Sequence, residues 1–284
     1  MENVIDVKDL CKNYKDFKLD NVSFSVPKGS IMGLIGANGA GKSTTIKLLL
    51  NLLKRNSGFV KIFGEDIIEK EQRIKEEIGV VFDESNFHDT LKTKNIDSIM
   101  KSIYKNWDEK LFYSYLKKFK LPIDKTIKDF SRGMKMKLSI AVALSHNPKL
   151  LILDEATSGL DPIVRNEILD VFLEFIEDGE HSILLSSHIT SDLEKIADYI
   201  TLINDGKVVF SQCKDDLIYN YGILKGSKKQ LESLDKNDFV SIEKNSFGFQ
   251  ALCCDKKSIT LKYPELMLDT ANIEDIMMFF VRGE

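Results

Sequence analysis

The chain has 284 residues, 43% of them hydrophobic and 30% charged, with 40 Lys and Arg against 44 Asp and Glu and a formal net charge of −4. This balance can bury a core, is too apolar for a disordered chain, and lacks the overall basic excess typical of nucleic-acid binders, so no nucleic-acid partner is expected. The length suits one large domain or two smaller ones, and no apolar run nears the ~20 residues of a membrane-spanning helix.

In chain order, Asn21–Val26 alternates polar and apolar residues as a half-buried strand does. Pro27-Lys28-Gly29 signals a turn, and Ser30–Ile35 is a short apolar run suited to a strand buried on both faces. A Gly-rich turn leads into Lys42–Leu53, predicted as one helix, and Phe59–Phe63 follows as a strand. From about Glu69 to Asn147 the pattern is mainly helical, with helices over Asn95–Lys105 and Asp108–Lys120. Leu150–Leu153 and Ser182–Ser186 are buried strands on either side of a helix over Val164–Phe175. Ser191-Asp192-Leu193-Glu194 has the spacing of a capping box and predicts a helix start. Tyr199–Ile203 and Lys207–Phe210 form a hairpin about Asp205-Gly206. Past about residue 215, Val240–Ile242 and Phe247–Leu252 are strands, and Asn272–Val281 is a helix with Ile273, Ile276, Met277 and Phe280 on one face.

Met1-Glu2-Asn3-Val4-Ile5-Asp6 lacks the basic-then-apolar order of a secretory signal, so a soluble chain is expected. Cys11, Cys213, Cys253 and Cys254 form no CxxC pair; reduced thiols and no zinc site are expected.

Gly36-Ala37-Asn38-Gly39-Ala40-Gly41-Lys42-Ser43 fits GxxxxGK[ST] between a predicted strand and a predicted helix. Glycines let backbone N–H groups curl around phosphate oxygens, and the helix N-terminus adds donors and dipole. Lys42 is placed for the β- and γ-phosphates of a nucleotide, Ser43 for Mg2+, and Thr44 follows in the same turn. Leu150–Leu153 then carries Asp154 and Glu155 to the edge of a sheet, where ligands of parallel α/β folds bind. Asp154 suits Mg2+, and Glu155 suits a general base that polarises water toward a γ-phosphate.

With these motifs the sequence resembles the ATP-binding subunits of ABC transporters, over residues 1 to about 215. Ser131-Arg132-Gly133-Met134 resembles the family signature, 23 residues before Asp154. Ser158-Gly159-Leu160-Asp161 matches the D-loop, and His188 the switch histidine 34 residues past Asp154. Tyr14 matches the aromatic that stacks on adenine. The resemblance implies an α/β P-loop ATPase core at 1–215, with an antiparallel β subdomain and an inserted helical subdomain at about 84–148. Residues 216–284 would be a small α+β accessory domain. It further implies ATP and Mg2+, and a homodimer or heterodimer in which the signature clamps the nucleotide of the opposite subunit. An integral-membrane permease would be the partner, and the chain would lie in the cytoplasm at the inner face of the membrane.

Four positions depart from the family pattern. Asp83 stands where the Q-loop glutamine is usual, and its carboxylate makes a further metal-side ligand possible. Arg132 and Met134 replace a glycine and the glutamine of the signature, and Ala156 replaces the proline after the catalytic glutamate. Together with Phe82-Asp83-Glu84, Asn106-Trp107-Asp108, the stretch following His188 and the C-terminal Glu274–Gly283, these variants resemble the YtrB-type, ABC-2-type exporter branch. One alternative is a non-hydrolysing regulator or nucleotide sensor. An ATPase acting on DNA or the ribosome fits less well, because Lys42 and Asp154 are only 112 residues apart and the chain holds one cassette.

Overall fold

The computed structural model describes residues 2–83 and 87–282. Glu84, where the helical insertion was expected to start, and Gly283, in the C-terminal resemblance, lie outside the described residues.

The chain opens with two long antiparallel strands, β1 (Asn3–Asn13) and β2 (Lys18–Pro27), then the buried β3 (Ile31–Ile35) and helix α1 (Lys42–Leu49). β4 (Ser57–Ile62) and β5 (Glu65–Asp66) return to the first sheet, ordered β2-β1-β4-β5. The short α2 (Glu71–Glu76) precedes β6 (Ile78–Val81). A helical lobe follows, made of α3 (Thr93–Ile103), α4 (Glu109–Lys118) and α5 (Arg132–Leu144).

The chain then builds the central sheet from β7 (Leu150–Asp154), α6 (Pro162–Ile176), β8 (Ser182–Ser186), α7 (Thr190–Ile196) and the hairpin β9 (Tyr199–Asn204) and β10 (Lys207–Cys213). Its order is β10-β9-β3-β8-β7-β6, parallel except for the β9–β10 hairpin. β3, β7 and β8 are buried at every position, which is why they read as continuous apolar runs rather than alternating ones.

α8 (Lys214–Asn220) leads to a third, antiparallel sheet of β11 (Gly222–Gly226), β12 (Ser241–Lys244), β13 (Phe249–Cys253) and β14 (Met267–Thr270), ordered β12-β13-β11-β14. Short helices α9 (Lys228–Leu231) and α10 (Lys256–Lys262) connect these strands, and α11 (Ile273–Arg282) ends the described chain. The mixed α/β architecture is the expected one. No helix among the described residues is long and apolar enough to cross a membrane, and all four cysteines are free thiols.

Four local expectations need correction. β6 interrupts the stretch read as mainly helical and pairs with β7, because Ile78-Gly79-Val80-Val81 is itself a buried apolar run. α1 stops at Leu49, not Leu53: Asn51 takes a φ of 53°, Leu52 N–H donates to Lys47 O and Asn51 N–H to Leu48 O. That is a Schellman ending with asparagine as its left-handed residue. Ser191 is not a cap, since α7 starts at Thr190 after an Ile189 that offers no side-chain acceptor. Glu194, the other half of the expected box, instead accepts from Ile273 N–H at the start of α11 (2.8 Å). On α11 the buried face is Ile273, Ile276 and Phe279, and Phe280 is half-buried beside Phe210 and Tyr221.

Candidate functional site

The parallel strands β3, β6, β7 and β8 point their C-terminal ends to one edge of the central sheet. Each end therefore delivers a different loop to the same place. β3 opens into the Gly36–Gly41 turn, β6 into Phe82-Asp83, β7 into Glu155 and β8 into Ser187-His188. Register sets their level: Val81 pairs with Leu153, so Asp83 and Glu155 each stand two residues past that pair, and Asp154 pairs with Ser186.

The turn after β3 requires glycine where it meets β9. A Cβ on Gly36 would lie 2.2 Å from the Ile203 carbonyl oxygen. Lys42 begins α1 with only 5% of its surface exposed. Its Nζ donates to the carbonyl oxygens of Gly36 (2.8 Å) and Ala37 (3.3 Å) and lies 3.4 Å from Glu155 Oε1. One residue on, Ser43 Oγ donates to Asp154 Oδ1 (3.2 Å). Ser186 Oγ donates to the same carboxylate oxygen (2.6 Å), which fixes the orientation of the buried Asp154.

Glu155 occupies the left-handed region of the backbone, with φ 55°. Its N–H donates to both Ser186 O and Ser186 Oγ at 3.1 Å, which holds that turn closed. His188 Nδ1 lies 2.6 Å from Glu155 Oε2. A carboxylate only accepts, so Nδ1 carries the proton in this contact. Glu155 is thus held between an ammonium on one oxygen and an imidazole on the other.

These groups face a cavity of about 380 Å3. Of the residues singled out in the sequence, Asn38, Gly39, Gly41, Lys42, Ser43, Thr44, Asp83, Glu155 and His188 line it, and Asp154 lies behind Ser43. Gly36 and Ala40 shape the turn without lining the cavity. Tyr14 does not reach it either: it is 42% exposed, with its ring centroid 6.3 Å from that of Phe17. Phe17 supplies the aromatic wall, because the turn closed by Tyr14 N–H to Phe17 O (2.8 Å) leaves Phe17 on the cavity side. Sequence reasoning also missed Ser186 as a partner of Asp154, although a serine at the end of a buried strand beside an aspartate strand was a usable signal.

The signature-like residues lie apart from this cavity. Ser131 caps α5, its Oγ accepting from Met134 N–H (3.2 Å), and Arg132 and Gly133 form the first turn. No acidic residue occupies that turn, so its free N–H donors and helix dipole favour an anion. The Arg132 guanidinium packs on Gly159: a Cβ there would lie 3.0 Å from Arg132 Cζ. Gly133 lets α5 approach α6, since its Cβ would lie 3.3 Å from a methyl of Val164. Asp161 caps α6 by accepting from Ile163 N–H (3.1 Å) and Val164 N–H (3.0 Å). Arg165 donates to Leu160 O (3.2 Å), and its Nε lies 3.8 Å from Oδ2 of the buried Asp192 on α7.

The donors around the expected cation position, the Ser43 hydroxyl and the Asp154 and Asp83 carboxylates, are all oxygen, as a hard cation such as Mg2+ requires. Among the described residues, no cluster of three or more His, Cys, Asp or Glu could hold a metal unaided. Mg2+ typically completes its shell with substrate phosphates and water, so the residues present fit that ion.

Comparison with known proteins agrees with this geometry. The ABC transporter family profile matches residues 19–158. The bacitracin transport ATP-binding protein BcrA of Bacillus licheniformis is 34% identical over 255 residues, covering 87% of this chain and 80% of that protein. The lantibiotic transport ATP-binding protein SrtF of Streptococcus pyogenes is 37% identical over 212 residues, covering 74% and 90%. A solved structure of an ATP-binding subunit of an ABC transporter superposes with a TM-score of 0.69 at 28% identity, covering 76% of this chain and 92% of that one.

Proposed function

The chain belongs to the ATP-binding subunits of ABC transporters, and from that premise we propose that it hydrolyses ATP at the Glu155 cavity to drive export through a separate membrane permease. The observation that carries this is the meeting of Lys42, the Ser43–Asp154 pair and the Glu155–His188 pair at one sheet edge. The regulator or sensor alternative is not favoured, because the base and the histidine that orients it are both present and in contact. Relatives named for bacitracin and lantibiotic transport support export of a peptide antibiotic.

In this reading Lys42 and the N–H groups of the Gly36–Ser43 turn bind the β- and γ-phosphates. Phe17, with Tyr14 beside it, offers the adenine an aromatic surface. Mg2+, when bound, neutralises charge on the phosphate oxygens; Ser43, Asp154 and Asp83 are the residues that would hold it. His188 Nδ1 fixes Glu155 Oε2; Oε1, 3.4 Å from Lys42 Nζ until that ammonium turns to the phosphates, is the oxygen that accepts the proton of the attacking water. Ser131–Met134 and Asp161 lie off the cavity, which suits contact with nucleotide held by a second ATPase subunit, identical or not.

Residues 1–215 form the ATPase unit and 216–284 the accessory unit, supported by the separate β11–β14 sheet with its own cluster around Leu224 and Phe249. The permease contact has a candidate in an apolar groove of about 130 Å3 lined by Val80, Phe82, Phe87, Tyr104, Ser139 and Val142. The groove borders the end of β6 and Phe82, next to Asp83, so a permease segment seated there would press on the site. Docked in this way, the subunit is peripheral on the inner, ATP-bearing face of the membrane.

Glu155→Gln tests the reading. Turnover should fall by about 10²–10⁴-fold, the range of a positioned general base, with ATP affinity retained. Wild-type turnover in that variant would overturn hydrolysis at Glu155.

A further inference from the structure

The helical lobe carries a charge unlike the rest of the chain. Residues 87–148 hold 13 Lys and Arg against six Asp and Glu, a net +7 inside a chain of net −4. Twelve of these 13 cations are lysines. The ATPase chemistry uses none of the lysines.

Part of this charge gathers where two segments run side by side, residues 89–94 before α3 and 120–128 after α4. Lys94 N–H donates to Ile123 O (3.2 Å), Ile127 N–H to Leu91 O (2.9 Å) and Lys128 N–H to Asp89 O (2.9 Å). Thr93 Oγ1 donates to Pro122 O (2.8 Å), and Lys92 bridges Thr126. Thr93 and Ile127 are buried beneath, while Lys92, Lys94, Lys120, Ile123, Lys125 and Lys128 are exposed. Nearby acids are engaged: Asp124 pairs with Lys94, Asp89 with Lys135, and Asp129 accepts from Thr126. Among the described residues, Lys92, Lys120, Lys125 and Lys128 make no ion pair. Ile123, 43% exposed, sits among them.

We propose that this face binds the anionic phospholipid headgroups around the permease, adding an electrostatic contact to the protein contact in the groove. Lysines are mobile point charges without the fixed fork of arginine, which suits a fluid anionic surface better than a single phosphate held in fixed geometry. The face lines neither the nucleotide cavity nor the apolar groove. An apolar side chain among basic ones is the composition of an interfacial contact. The placement also agrees: Phe87 walls the apolar groove, and five residues later the chain reaches Lys92. This orientation rests on the permease reading, so the test uses the isolated full-length subunit and reads lipid binding apart from transport.

The protein would be sedimented with vesicles of phosphatidylcholine alone or mixed with phosphatidylglycerol. Partition into the phosphatidylglycerol vesicles only, weakening as salt rises, is the expected result. The triple variant Lys92→Glu, Lys125→Glu, Lys128→Glu should lower that partition by about tenfold or more while basal ATP turnover stays at the wild-type rate. A control with the same change of net charge, Lys207→Glu, Lys228→Glu, Lys229→Glu, should bind as wild type. Equal binding to both vesicle types, an unaffected triple variant, or an equal loss in the control would each overturn the proposal. Retention on single-stranded RNA without partition to phosphatidylglycerol would overturn it in favour of nucleic acid. Loss of permease capture with lipid binding intact would instead count against the transporter reading alone.

Discussion

Glu155 sits in a backbone region that costs a non-glycine residue roughly 1–2 kcal/mol, and the two bonds from its N–H to Ser186 offset that cost. Its neighbour across the cavity, Asp83, brings a second exposed-side carboxylate to a place where the family carries a neutral amide. That charge should tighten the hold on a divalent cation. Asp83→Asn is therefore expected to raise the Mg2+ concentration for half-maximal turnover by about three- to tenfold, the effect of one partly screened charge. A Mg2+ titration at fixed ATP reads this, and an unchanged curve would remove Asp83 from the metal side. His146 is a residue of a different kind. It is buried where α5 meets β6, with Nε2 3.1 Å from Ile78 O and its ring stacked on Tyr104 at 4.0 Å. Burial holds its pKa below the usual 6.5, so it is neutral when folded and takes up a proton more readily when unfolded. Its contribution to stability is complete above pH 6.5 and is lost as the pH falls below it, at no more than about 1.4 kcal/mol per pH unit. Urea unfolding at pH 7.5 and 5 should show this loss in the wild type and a smaller one in His146→Gln.

At the scale of elements, the N-termini of α5 and α6 pack together because Gly133 admits Val164 and Gly159 admits the Arg132 guanidinium. Gly159 has φ 66°, which glycine adopts without strain. Arg132, readable in sequence only as a departure from the signature, thus acts within the chain as packing on the D-loop. A second tie, an ion pair at 3.8 Å, runs from α6 to α7 through Arg165 and Asp192, whose Nε and Oδ2 are buried without a hydrogen bond among the described residues. Removing the cation alone would leave a buried carboxylate uncompensated, so Arg165→Ala should cost about 3 kcal/mol. Arg165→Met with Asp192→Leu should recover much of that, since an apolar pair can replace a buried ion pair at little cost. Denaturant midpoints of the single and double variants check this, and additive losses would show that the two side chains do not interact. The same elements show what short sequence patterns miss. The serine and glutamate spaced as a capping box near α7 are not paired with each other, because the chain enters that helix two residues earlier and Glu194 serves α11 instead.

For the whole molecule, the small C-terminal sheet has its own apolar cluster, yet α11 does not belong to it. Ile273, Ile276 and Phe279 join the main core with Leu193 and Ile196 of α7, so the end of the described chain is pinned to the ATPase unit. Ile276→Ala should accordingly destabilise that unit by about 2–5 kcal/mol, seen as a lower midpoint for the nucleotide-binding core and not only for the C-terminal sheet. The sequence alone determined the buried strands β3, β7 and β8, the phosphate turn and the order of the motifs, because each depends on residue types at short, fixed spacings: continuous apolar runs, glycines where a Cβ would collide, and Lys-Ser at a helix start. Only the tertiary structure decided that Phe17 rather than Tyr14 walls the cavity, that Ser186 orients Asp154, and that Lys42 and His188 hold Glu155 from two sides. Those relations join residues up to 146 positions apart, as Lys42 and His188 are. Strand register and the direction a turn leaves a side chain facing arise only when the sheet assembles, and no local pattern carries them.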